Sequence, residues 1–181
     1  MIYTEKTKKA MKLCFEAHKD QVDKSGIPYV FHPFHVAEQM TDEVTTIVAL
    51  LHDVVEDTDY KLDDIAAMDF GQDVVDALAL MTHDKNVPYL DYVAKLKDNP
   101  IARTVKLADL AHNSDPTRLD VIDEKTKERL AKYRKAIAIL DSSVQNISMD
   151  LSYDNNRQLP GDLTPEERWD RFYEMGREDK D

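Results

Sequence analysis

The chain has 181 residues, 42% hydrophobic and 33% charged, which suits one globular domain with a core and excludes a disordered chain. Its formal charge of −12 argues against nonspecific nucleic-acid binding, which needs clustered Lys and Arg. No apolar run approaches the ~20 residues of a membrane span, residues 1–12 contain no signal-peptide core, and the lone Cys14 permits no intrachain disulfide, so the reading is a cytoplasmic chain with a buried thiol.

Few glycines and many Ala, Leu, Lys and Glu favour helices throughout, and the expected class is all-α. Residues 4–18 read as a helix capped by Thr4, with Ala10, Met11, Cys14, Phe15 and His18 at helical spacing. The turn residues Lys24-Ser25-Gly26-Ile27-Pro28 follow, and His32-Pro33 starts a second helix. Residues 43–56 form the most apolar helix, expected at the centre of the domain. Shorter helices are predicted near 62–68, 71–82 and 88–97, then longer ones over 99–113 and 123–141. The polar stretch 145–163 reads as a loop. Thr164-Pro165-Glu166-Glu167 forms a capping box that opens a last, aromatic helix over 165–177. The expected division is a helical-bundle domain over 1–141 and a helical appendage over 142–181. That aromatic helix must pack on the main domain or on a second subunit, which leaves a homodimer open.

One segment concentrates chemistry. His52-Asp53 ends the central helix, and Glu56 and Asp57 follow one turn later. An imidazole with three carboxylates suits a borderline divalent ion. Asp109 interrupts the apolar stripe Val105 to Leu110, where an unpartnered carboxylate would cost several kcal/mol. Each residue alone has a plainer reading. His52-Asp53 is then a solvated helix end, Asp109 a partner of Lys106, and His32 a helix cap. His35, three residues after His32, reads as ordinary helix surface, as do His18 and His83.

Taken together, His32, His52-Asp53 and Asp109 resemble the H…HD…D pattern of the HD-domain phosphohydrolases. Ala17-His18, Gln21, Lys24 to Tyr29, His32-Pro33, Ala49 to Thr58 and Lys106 to Asp109 with His112-Asn113 are similar, in the same order, to the hydrolase domain of RelA/SpoT-type proteins. The resemblance implies an HD-domain helical bundle. It implies His32, His52, Asp53 and Asp109 as ligands of Mn²⁺, and Glu56 and Asp57 as the groups that activate and orient water. It implies Lys24, Ser25 and Asn113 as contacts to a small-molecule nucleotide. The implied reaction is removal of the 3′-pyrophosphate of the alarmones ppGpp and pppGpp, giving GDP or GTP. His112 reads either as a group behind a ligand or as a satisfied core histidine.

Two positions depart from that pattern. Asp23 stands where the family commonly has Arg, and Ser114 to Arg118 differ from the usual sequence. Both touch nucleotide recognition, with Arg118 or Arg103 as replacement cations. Two other functions therefore stay open: hydrolysis of another nucleotide or phosphorylated metabolite, and a non-catalytic nucleotide sensor.

Overall fold

The computed structural model describes residues 1–118 and 122–141. The expected 145–163 loop, the 165–177 helix and the whole 142–181 appendage lie outside the described residues.

Helices α1 (Glu5–His18), α2 (Phe31–Glu38) and α3 (Glu43–Leu51) open the chain. Four short helices follow: α4 (Val54–Asp57), α5 (Leu62–Ala66), α6 (Gln72–Met81) and α7 (Tyr89–Lys95). The longer α8 (Pro100–Ser114) and α9 (Glu124–Leu140) are joined through a 3₁₀ turn at Pro116–Arg118. Among the described residues there is no sheet, only an isolated bridge between Val22 and Pro28. No described helix is long and apolar enough to cross a membrane.

Local chemistry sets the helix starts. Thr4, Asp42, Asn99 and Asp123 each accept a backbone N–H at an N-terminus, worth about 1 kcal/mol apiece. Thr4 and Thr7 form a reciprocal box, with the Thr4 N–H donating to Thr7 Oγ1 at 2.7 Å. Gly71 precedes α6 at φ 111°, a conformation that strains any residue with a β-carbon.

Helix α3 is the hub. Every residue from Thr45 to Leu51 is buried, and α1, α2, α6 and α8 pack around it. Ile47, Val48, Leu50 and Leu51 are at most 1% exposed, and each contributes about 1.5–3 kcal/mol through burial.

Three expectations need correction. The continuous helix over 43–56 is broken: α3 stops at Leu51 and α4 restarts at Val54. His52 Nδ1 lies 2.7 Å from the Ala49 carbonyl, the acceptor that an unbroken helix offers to the Asp53 N–H. In α1 the buried stripe is Ala10, Leu13, Cys14 and His18, and Phe15 is 51% exposed, because the buried face is rotated from the predicted one. His18 is not surface: it is fully buried, with Nδ1 2.8 Å from Gln21 Oε1.

Candidate metal centre

Helix α2 supplies His32, the break after α3 supplies His52 and Asp53, and α8 supplies Asp109. His32 Nε2 lies 3.2 Å from Asp109 Oδ1 and 3.4 Å from Asp53 Oδ2. His52 Nε2 lies 3.1 Å from Asp53 Oδ2 and 3.7 Å from Asp109 Oδ1. His32, His52 and Asp109 are buried, and their donor atoms lie within 4.8 Å of one another. Asp53 Oδ2 lies against both imidazoles.

The protonation pattern tests whether these groups suit a cation. The Ala49 carbonyl can only accept, so His52 Nδ1 carries the hydrogen. A neutral His52 then aims the lone pair of Nε2 at two carboxylates, and this buried nitrogen has no hydrogen-bond partner. Burial disfavours a charged ring, but Asp53 and Asp109 outweigh it and push the His52 pKa up to about 10. The imidazoliums in turn hold Asp53, and Lys106 first and then the imidazoliums hold Asp109, well below the usual carboxylate range, against burial. A divalent ion resolves the same conflict with neutral imidazoles. Ligand atoms about 2.0–2.2 Å from one ion stand roughly 3 Å apart, close to the observed spacings. The residues fit a divalent metal.

Supporting groups surround the four. Tyr29 Oη donates to Asp53 Oδ2 at 2.6 Å. Lys106 Nζ donates to Asp109 Oδ2 at 2.7 Å, and Asn113 Nδ2 donates to Asp109 Oδ1 at 2.5 Å. His32 Nδ1 and His112 Nδ1 lie 2.6 Å apart. With His32 Nε2 turned to the carboxylates, its Nδ1–H donates to His112, which orients the ring. His112 thus stands against the side of His32 that faces away from the carboxylates. Burial, with His32, Arg118 and His35 nearby, pushes its pKa down to about 3 and keeps it neutral.

Glu56 and Asp57 sit on α4, one turn beyond the cluster. Partial desolvation pushes both carboxyls up, and the Asp53 charge adds to it. The His83 N–H, 3.4 Å from Glu56 Oε2, opposes that rise. His83 itself follows α6 rather than lying on its surface, with Nε2 2.8 Å from the Val87 carbonyl.

Lys24 is exposed in the loop between α1 and α2. Ser25 Oγ donates to the Arg118 carbonyl at 3.1 Å, so its hydroxyl is engaged within the protein. Asn113 likewise turns to Asp109. His35, expected as ordinary surface, is exposed yet stacks on His112 with centroids 4.2 Å apart. The contact of Tyr29 with Asp53 spans 24 positions and is not readable from spacing, whereas the Lys106–Asp109 pair is the three-residue helical pair that the sequence offers.

Beside the cluster lies a cavity of about 380 Å³. Tyr29, His32 and His112 form its wall toward the cluster, and Asp23 and Arg118 also line it.

This bundle, with His32 from α2, His52 and Asp53 from the break after α3, and Asp109 from α8, is an HD domain, and residues 10–141 match the HD domain family model. The chain belongs to that family. It is 40% identical over 114 residues to the mouse guanosine-3′,5′-bis(diphosphate) 3′-pyrophosphohydrolase MESH1, covering 55% of this chain and 63% of the relative. The MESH1 of Xenopus tropicalis is 29% identical over 165 residues, covering 78% and 92%. The chain thus spans less than two thirds of the mouse relative. A solved structure superposes with TM-score 0.67 at 25% identity, covering 84% of this chain and 94% of the other. It is described as a metazoan ortholog of SpoT that hydrolyzes ppGpp and plays a role in starvation responses.

Proposed function

We propose that this chain is a metal-dependent phosphohydrolase that removes the 3′-pyrophosphate of ppGpp and pppGpp, yielding GDP or GTP and pyrophosphate. The observation that carries this reading is the buried, unpartnered Nε2 of His52, aimed at two carboxylates. The names of the mouse and frog relatives support the substrate class.

His32, His52, Asp53 and Asp109 hold the ion, with Mn²⁺ as the expected metal. A divalent ion there supplies Lewis acidity, lowering the pKa of a water and offsetting phosphate charge. Glu56 takes the proton of the attacking water, and Asp57 helps orient that water. The raised pKa of Glu56 makes it a stronger base than an ordinary surface glutamate. Tyr29 and Lys106 hold the two aspartates from behind, each occupying one carboxylate oxygen. Lys24, Ser25 and Asn113 belong to the nucleotide-facing side in this reading, with Ser25 and Asn113 acting through Arg118 and Asp109. A cytoplasmic setting fits a nucleotide substrate.

The test is pyrophosphate release from ppGpp by the full chain with Mn²⁺, beside an Asp53→Ala control. Turnover that requires both Mn²⁺ and Asp53 is expected. Turnover of another nucleotide with ppGpp untouched would reassign the substrate. Nucleotide binding without any turnover would make the chain a sensor.

A further inference from the structure

We propose that Arg118 is the specificity-determining cation of the cavity beside the metal centre, positioned by Asp23, and that the flat base of the nucleotide lies against its guanidinium. The inference rests on the nucleotide phosphohydrolase reading above and names which part of the substrate meets which group.

Arg118 is held from several sides. Nη1 donates to the His112 carbonyl at 3.0 Å, and Nη2 approaches Asp23 Oδ2 at 3.4 Å. Asp23 is itself fixed, because its Oδ1 accepts the Ser25 and Ile27 N–H groups at 2.9 and 3.0 Å. Ser25 Oγ closes the loop onto the Arg118 carbonyl at 3.1 Å. These bonds join segments 93 and 95 positions apart. A guanidinium pinned at two nitrogens keeps a fixed plane, which is what stacking requires. It has five N–H donors, and its side chain remains 28% exposed.

The chemistry of the cavity favours a base over a phosphate. Asp23 offsets the charge of Arg118, and Glu38 adds a further carboxylate to the lining. An anion would gain little there. Phe31 and Ile27, 61% and 51% exposed, leave apolar surface on the same lining. A planar, neutral, partly apolar ring suits that mixture, and a volume of about 380 Å³ lies in the range of small-molecule sites. His32 and Tyr29 belong to both the cavity wall and the metal centre. An occupant of the cavity therefore has its attached phosphates within reach of the cluster.

The test is steady-state hydrolysis by the Mn²⁺-loaded full chain. Arg118→Ala should raise KM for ppGpp roughly 5- to 30-fold, with kcat within about twofold. The reversed pair, Asp23→Arg with Arg118→Asp, should bring KM back to within about threefold of wild type, because the cation returns from the opposite strut. Mn²⁺ binding, followed by calorimetry, should be unchanged in all variants. A wild type that turns over ppGpp while Arg118→Ala keeps its KM overturns this inference and leaves the function standing. So does an Arg118→Ala variant whose defect is lost Mn²⁺ binding or a lowered melting temperature. A wild type with no ppGpp turnover removes the function reading, and this inference with it.

Discussion

Tyr29→Phe deletes one oxygen and leaves the ring in place. In the native protein that hydroxyl donates to Asp53 Oδ2 at 2.6 Å, the same oxygen that faces both His32 and His52. Burial and the Asp53 charge push the phenol pKa upward, so it stays a donor across any practical assay pH. A hydrogen bond to a charged partner is worth about 1.5–3 kcal/mol. Converted at 1.4 kcal/mol per decade, that is about a 10- to 100-fold loss of metal affinity, the range seen when groups behind metal ligands are removed. The ring keeps its contacts with His18 and His32, whose centroids lie 5.2 and 5.6 Å away, so the fold should survive. Calorimetric titration with Mn²⁺ measures the affinity, and circular dichroism checks the helices. A folded Tyr29→Phe protein that binds Mn²⁺ within twofold of wild type would refute the idea that Tyr29 holds Asp53 for the ion.

Four further outcomes are expected. Saturating Mn²⁺ at about 100 times Kd should stabilise the chain by about 2.7 kcal/mol, raising its melting temperature by roughly 5–10 °C in a thermal scan, and Asp53→Ala should abolish that shift. Glu56→Ala, loaded with metal and folded, should lose at least about 10²-fold in kcat; retained turnover removes Glu56 from the mechanism. Cys14 is buried and its thiol is pushed up to about 12 from 9.0, mainly by desolvation. Above pH 9 the unfolded chain therefore releases this proton first, and stability should fall with rising pH between about 9 and 12; denaturant titrations at pH 8 and pH 10 measure it. A thiol reagent at pH 8 should label Cys14 only after unfolding.

Much of this architecture could be read from periodicity and end signals. Thr4 and Pro100 mark helix starts where the chain begins a helix, and the apolar run from Val44 to Leu51 lies at the centre. The break at His52 was not legible, because nothing in the local sequence disfavours continuing; only the folded chain shows the His52 ring meeting the Ala49 carbonyl there. The burial of His18 escaped for a related reason: a histidine looks polar until Gln21 satisfies one of its nitrogens. Within the site, His52 and Asp53 announce themselves by adjacency. That His32 and Asp109 join them followed from family resemblance and not from spacing, since 77 positions separate the two in the sequence. The engagement of Ser25 with Arg118, and of Asn113 with Asp109, required the folded chain.

The residues proposed to hold the ion come from α2, the break after α3, and α8, and both α2 and α8 pack on the hub α3. No short excised peptide can therefore reproduce the centre, and a fragment ending before Pro100 has no Asp109 at all. In the proposed reading, the packing of α8 on α3 that builds the core also brings Asp109 to the other three residues, so a chelator should lower the denaturant resistance of the whole domain. Mutations deep in the hydrophobic interior, far from any phosphate, would then register first as weakened metal retention.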